Sequence, residues 1–245
     1  MNQVFMEIYA SVWKEVFPGV ALMDIETFKK LYTRGMILPE KRACAISGEE
    51  IYVCPDYGYK TFISDAERMK RSEKDNFMEP KEAIDSLSQA LEMVKKVAMF
   101  RGSMKINSDV VEASNNVYSS SYIYNCASIH GAQKMMFSFD MGPCEYMLAS
   151  RNDKNCNFGI RVFDSDGVAN SFDVSNSVKC ANCYFCHNCF DLRDCMFCFH
   201  IESKRFCIAN MQFEEAEYLK IKEVLIKQYF EQLSSTNPMI SQQDL

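Results

Sequence analysis

Between Ser108 and Ile201 the apolar and small residues fall on every third position. Val111, Val117, Ile123, Ile129, Met135, Met141 and Met147 alternate there with Ser108, Ser114, Ser120, Cys126, Ala132, Ser138 and Cys144. The same register resumes after Asp153 with Val162, Ser165, Val168, Ser171, Val174 and Ser177. It then fills with Cys180, Cys183, Cys186, Cys189, Leu192, Cys195, Cys198 and Ile201, and every cysteine beyond Gly102 lies on it. Asp153 is the one charged residue on that line. Fixed short-period self-similarity marks a repeat architecture in which each unit buries its apolar residues against the next. The underlying unit is six residues, because small and large slots alternate. Asn or Asp often precedes the second slot of a hexad, as at Asn116, Asn170, Asn182, Asn188 and Asp194. These residues tolerate left-handed backbone and suit a corner.

The pattern predicts an α+β chain built on a parallel β-solenoid. Slot contents change in threes, which predicts three hexads, or about 18 residues, per coil. Inward residues spaced three and three differ from the two-and-four spacing of left-handed hexapeptide helices, so handedness is left open. The register fails at Lys204 and Asn210, which sets the end of the repeat.

The flanks follow other periods. Val4, Ile8, Val12, Trp13 and Val16 are spaced for a helix that Pro18-Gly19 closes, and Asp24 can cap a second helix from Ile25 to Tyr32. Cys44 to Gly48 and Ile51 to Cys54 read as a hairpin turning at Ser47-Gly48. Ser64 or Asp65 starts a charged helix. Another helix is expected from about Pro80 to Phe100, with Ile84, Leu87, Ala90, Leu91, Val94 and Val97 on one face. Glu214 to Leu233 is an amphipathic helix placed to cap the solenoid. The expected division is an N-terminal head over 1–102, solenoid over 103–210, capping helix over 211–233 and a disordered polar tail over 234–245.

The net charge of −6 and the lack of a basic cluster argue against nucleic acid or an anionic membrane as partner. No window is apolar enough to span a bilayer, and the first eighteen residues do not read as an export signal. Twelve cysteines in such a chain predict a reducing compartment, either the cytoplasm or a particle assembled there.

The segment Asp194-Cys195-Met-Phe-Cys198, then Phe206-Cys207-Ile208-Ala-Asn210 and Glu214-Glu215-Ala-Glu217-Tyr218, resembles the end of a group of uncharacterised Cys/Asn-rich repeat proteins. Their pattern runs D-C-x-x-C, Y-C-I-x-N, then E-E-Y opening a last helix. Cys44-Ala-Ile-Ser-Gly48 is similar to a C-A-I-T-G element near their start. Met211 departs from their Lys after the Asn, and this chain lacks the fuller N-terminal zinc ribbon of some members. The resemblance implies the solenoid; it implies no activity.

Two readings stand for Cys180, Cys183, Cys186, Cys189, Cys195 and Cys198. Thiolates two residues apart ligate zinc or an iron–sulfur cluster. Packing alone also accounts for them, since Val and Ser occupy the same slots upstream. Cys44 and Cys54 form either half a zinc knuckle or a hairpin core pair. A position outside the main slots carries Tyr118, Tyr124, Met136, Leu148, Ile160, Phe172, Val178, Tyr184, Phe190 and Met196. If it faces outward, its stripe needs either the chain's own helices or a partner, with Tyr118, Tyr124, Phe172, Tyr184 and Phe190 as the interaction surface. No catalytic residues are assigned and no cofactor is expected beyond the zinc or iron–sulfur alternative. The reading is a non-enzymatic binding or structural component with protein partners or copies of itself. The alternatives are a metal protein and a hexapeptide-repeat acyltransferase using His130, His187 or His200.

Overall fold

The computed structural model describes residues 1–54, 61–151, 158–162, 167–175, 178–188 and 190–233. Its centre is a parallel β-solenoid. Strands β5 (Lys105–Ile106), β6 (Asp109–Glu112), β7 (Asn115–Tyr118), β8 (Ser121–Tyr124), β9 (Ala127–His130), β10 (Gln133–Met136), β11 (Phe139–Met141) and β12 (Glu145–Leu148) alternate between two flanks. One flank is the sheet β12-β10-β8-β6 and the other β11-β9-β7-β5. The repeat continues through β13 (Val168–Ala169), β14 (Cys180–Tyr184), β15 (Arg193–Met196) and β16 (Arg205–Ile208).

The expected coil length is corrected here. Ser121 pairs with Asp109 and with Gln133, and Cys195 with Cys183 and with Cys207, so each coil has 12 residues rather than about 18. Two hexads close a turn, one per flank. The runs of three like residues cross from flank to flank and do not mark a coil.

The three-residue period has a backbone origin. From Asn107 to His200, every non-glycine residue with positive φ immediately precedes a slot: Asn107, Val110, Ala113 and Asn116 begin the series, at φ 48, 48, 50 and 56°. Each left-handed residue turns the chain so that the next side chain points inward. Asn116, Asn182 and Asp194 lie within strands rather than at corners, so the left-handed tolerance read from Asn and Asp is used there as well.

The slots divide by chemistry. Mid-strand slots Val117, Ile123, Ile129, Met135, Met141 and Met147 fill the interior. Corner slots are small and bond along the axis. Ser114 Oγ donates to Glu112 O at 2.7 Å and accepts from Cys126 N at 3.0 Å. Ser120 does the same with Tyr118 O and Ala132 N. Cys126 Sγ repeats the motif with Tyr124 O and Ser138 N.

Helix α1 (Gln3–Val16), capped by Asn2, and α2 (Ile25–Tyr32), capped by Asp24, lie against the even-numbered flank. β1 (Glu40–Ala43) and β2 (Glu50–Val53) form an antiparallel hairpin. The hairpin matches expectation, but Cys44 sits in its turn and not in a strand. β3 (Phe62–Ile63) pairs parallel with β4 (Phe100–Arg101), and α3 (Asp65–Asp75) starts at the Ser64 cap. Helix α4 spans only Leu87–Val97, because Ser86 takes the cap position by accepting from Gln89 N at 3.3 Å; residues 80–86 are not helical.

At the C-terminal end the chain reverses at Ala209-Asn210, and β17 (Met211–Gln212) runs antiparallel to β16. The Asn210 carboxamide accepts from Phe199 N at 2.9 Å and donates to Phe199 O at 3.0 Å, holding the opposite flank. Helix α5 (Glu215–Gln232) then leans along the flank that α1 covers. The tail over 234–245 lies outside the described residues.

Asn210→Ala removes both clamp bonds while leaving β17 in place. A stability loss of about 0.5–1.5 kcal/mol per bond is expected, read as a lower denaturant midpoint at unchanged slope. An unchanged midpoint would show that β17 alone closes this end.

Candidate functional site

The outward apolar stripe separates at the 12-residue step into two columns. Met136, Leu148, Ile160, Phe172, Tyr184, Met196 and Ile208 form the first and are buried beneath α1, α2 and α5, with Tyr124 packed beside them. Phe172 touches Phe17, Tyr32 and Tyr229, and the Tyr184 hydroxyl donates to Val16 O at 3.1 Å. Of the two coverings expected for this stripe, Phe172 and Tyr184 have the chain's own helices and are not available as an external surface, and Tyr124 is half-buried beside them. The second column lies on the other flank. Phe190 is 45% exposed there and Val178 36%, while Tyr118 is half-buried against His130.

Beneath the helical cover sits a charge pair the sequence reading missed. Arg161 Nε lies 3.2 Å from Asp173 Oδ2, with the two side chains 0% and 2% exposed. Arg161 also donates to Arg34 O at 3.3 Å. The Tyr32 and Tyr229 hydroxyls meet at 2.8 Å beside the pair, and burial pushes both phenols above their ordinary range. Arg161 and Asp173 are 12 residues apart, one coil, so their pairing was legible only once the coil length was known.

The cysteines converge in the downstream core. Cys180, Cys183, Cys186, Cys195, Cys198 and Cys207 share one cluster with Val162, Val174 and Leu192. Their hydrogen bonds repeat the corner-serine pattern. Cys186 Sγ donates to Tyr184 O at 3.6 Å, Cys195 Sγ to Arg193 O at 3.4 Å, Cys198 Sγ to Met196 O at 3.3 Å and Cys207 Sγ to Arg205 O at 3.5 Å. Neighbouring thiols also shift one another's ionisation. Contacts from Cys180 and Cys186 lower Cys183, and contacts from Cys186 and Cys195 lower Cys198; Cys186 and Cys195, on the donating side, are raised. Cys189 lies outside the described residues, as does Asp153. Among the described residues, no three His, Cys, Asp or Glu side chains are grouped so as to hold a metal ion.

Cys44 and Cys54 belong to separate apolar clusters, the first with Ile51 and Phe62, the second with Ala127 and Phe139. Burial pushes the Cys44 thiol up. Bonds from Ser47 and from the main-chain N–H groups of Ser47, Ser64 and Ile46 outweigh burial and hold it at about 7. His187 and His200 have ring centroids 6.0 Å apart on adjacent coils, and His130 is exposed on the same flank.

A concavity beside α5 has no sequence signal at all. Pro18, Gly19 and Val20 form one wall, and Leu219, Lys222, Glu223, Ile226, Lys227, Phe230 and Glu231 of α5 form the other; its volume is ≈ 730 Å³. Leu219 at its rim is 50% exposed. Lys222 lies over the Tyr184 ring, Nζ 4.7 Å from the centroid, and burial lowers its pKa. Among the described residues no helix is long and apolar enough to cross a membrane. Comparison with known proteins finds no matching family model, no similar curated protein and no similar solved structure.

Arg161→Met strands a buried carboxylate and is expected to cost about 3–5 kcal/mol. Adding Asp173→Leu removes the stranded charge and should recover most of that loss, as judged by a double-mutant cycle in urea. Additive losses would show that the two side chains act independently.

Proposed function

We propose that this chain is a non-enzymatic β-solenoid that acts as a binding or structural component of a larger protein assembly. The observation that carries this reading is the α5 groove. It is apolar along Val20, Leu219, Ile226 and Phe230, and it is rimmed by charges of both signs at Lys222, Glu223, Lys227 and Glu231. An apolar concavity with a mixed polar rim is the surface that a protein segment fills. Its walls are firm. Phe230 packs on Trp13 and Phe17, ring centroids 5.6 and 5.0 Å away, so the floor is anchored to α1 and through it to the solenoid. A preformed groove of this kind loses little conformational entropy on binding.

The thiol file favours a second reading, a zinc or iron–sulfur protein, through the gathering of six cysteines in one cluster. The packing reading is supported by the carbonyl bonds of Cys186, Cys195, Cys198 and Cys207, which copy those of Ser114 and Ser120. Histidine-based acyl transfer draws no support from the α5 groove, whose lining holds no histidine.

Two measurements separate these readings. A photo-crosslinking residue in place of Leu219, expressed in the native host, should give adducts heavier than the chain, while one in place of the exposed Glu15 should not. Absence of adducts from position 219 would remove the docking reading. Elemental analysis of anaerobically purified protein, with a thiol count, addresses the cysteines. The packing reading expects no stoichiometric metal and thiols that react only after unfolding, when all twelve become countable. Stoichiometric zinc or iron would transfer the lead to the metal reading.

A further inference from the structure

We infer that the segment following α5 folds back into the α5 groove of its own chain, with Ile240 against Phe230 and Asp244 on the Lys222 ammonium. The inference rests on the reading of that groove as a docking site and adds its regulation, since a partner docks there by displacing the segment.

The groove sets the chemistry of its occupant. Lys222, Ile226 and Phe230 follow one another at steps of four on one face of α5, and all three line the concavity. Phe230 gives it an apolar end and Lys222 a cationic one. The Lys222 ammonium lies over the Tyr184 ring, and among the described residues it makes no ion pair. Lys227, by contrast, has Glu231 at 4.0 Å. Burial already disfavours the charged form of Lys222, so a carboxylate brought to it relieves a desolvated cation. The fitting occupant carries an apolar side chain and one carboxylate, about 12 Å apart by the rise of the helix.

Residues 234–245 carry that pattern. Asp244 is the one charged residue among them, and Met239-Ile240 is their apolar pair. On an extended backbone Ile240 and Asp244 point to the same side, about 13 Å apart, which matches the Phe230–Lys222 spacing. The direction matches too. A chain that turns back after α5 passes Phe230 first and Lys222 last, as Ile240 precedes Asp244. Residues 234–239 remain for the reversal, an ordinary length for a connection, and Asn237-Pro238 within them is a turn-initiating pair. Joined to the helix, the segment meets the groove at an effective concentration on the order of millimolar. A weak contact therefore fills the groove, and a tighter partner displaces it.

The photo-crosslinking residue in place of Leu219 reads this contact in the purified full chain. Irradiation at high dilution, digestion and mass mapping should place the adduct within residues 240–245, in a product with the mass of one chain. Asp244→Lys and Ile240→Asp should each lose most of that adduct. Both lie beyond α5 and leave every described contact in place. Adding Lys222→Glu to Asp244→Lys should recover the adduct, because the pair re-forms with its charges exchanged. No adduct to this segment, an adduct indifferent to Asp244→Lys, or one joining two chains would overturn the inference. Adducts heavier than the chain that persist in the native host in that case keep the groove reading. Their absence even from Asp244→Lys, beside an internal adduct in the parent chain, would remove the external partner and leave the internal contact established.

Discussion

The structure depends on a backbone constraint, a left-handed residue before most inward slots. For residues other than glycine that conformation costs roughly 1–2 kcal/mol each. The solenoid adopts it repeatedly, often with side chains as large as Phe137, Phe185, Phe197 and Phe206. The kink aims the following residue inward and leaves the left-handed side chain on the outer surface. Neighbouring coils then offset the strain with main-chain ladders at a fixed step of twelve, reinforced by corner hydroxyls and thiols that bond along the axis. No single coil holds these bonds alone, so each coil is stable only in the stack.

The same constraint explains why the helices are indispensable to one flank. Left-handed aromatic residues and the Met136–Ile208 column both project from that flank, and together they would expose a large apolar sheet. Helices α1, α2 and α5 take up that surface, with Phe28 against Phe137, Tyr229 against Phe185, and Tyr218 against Phe206. Burial of this aromatic surface, at roughly 25 cal/mol per Å² of apolar area, is the main term opposing the backbone cost. The Arg161–Asp173 pair lies inside this layer. A buried pair is weak evidence for stability but fixes relative position, and here it joins Arg161 and Asp173 to the main chain at Arg34.

Much of this was legible in the residues. The slot line, its end near Asn210, the caps at Asp24 and Ser64 and the hairpin near Gly48 all follow from local chemistry that leaves a mark at fixed spacing. The coil length was not legible, because slots six and twelve apart carry the same residue types and only the strand pairings, such as Ser121 with Gln133 and Cys183 with Cys195, distinguish them. Splitting the stripe into covered and open columns needed that number as well. The charge pair and the α5 groove join segments far apart in sequence, as Val20 and Phe230 are, and no local period records such a meeting. Helix α4 came out shorter than its pattern because the Ser86 cap ended a stripe that, by apolar spacing alone, would continue to Ile84.

Partner surfaces accordingly fall outside the repeat. A solenoid flank is a flat sheet whose side chains are fixed by the coil, and one flank is already spent on the chain's own helices. The N-terminal edge strand β6 carries Asp109 and Glu112, and like charges would face each other if two such edges met antiparallel. The opposite edge is blocked by β17. Stacking of copies through β6 is disfavoured by charge, and through the far edge of the same flank by the antiparallel turn. What remains unsatisfied is apolar surface on helices, beside α5 and along α4, where side chains stand clear of the strand ladder. The repeat thus acts as the rigid support, and recognition passes to the helices it holds in place.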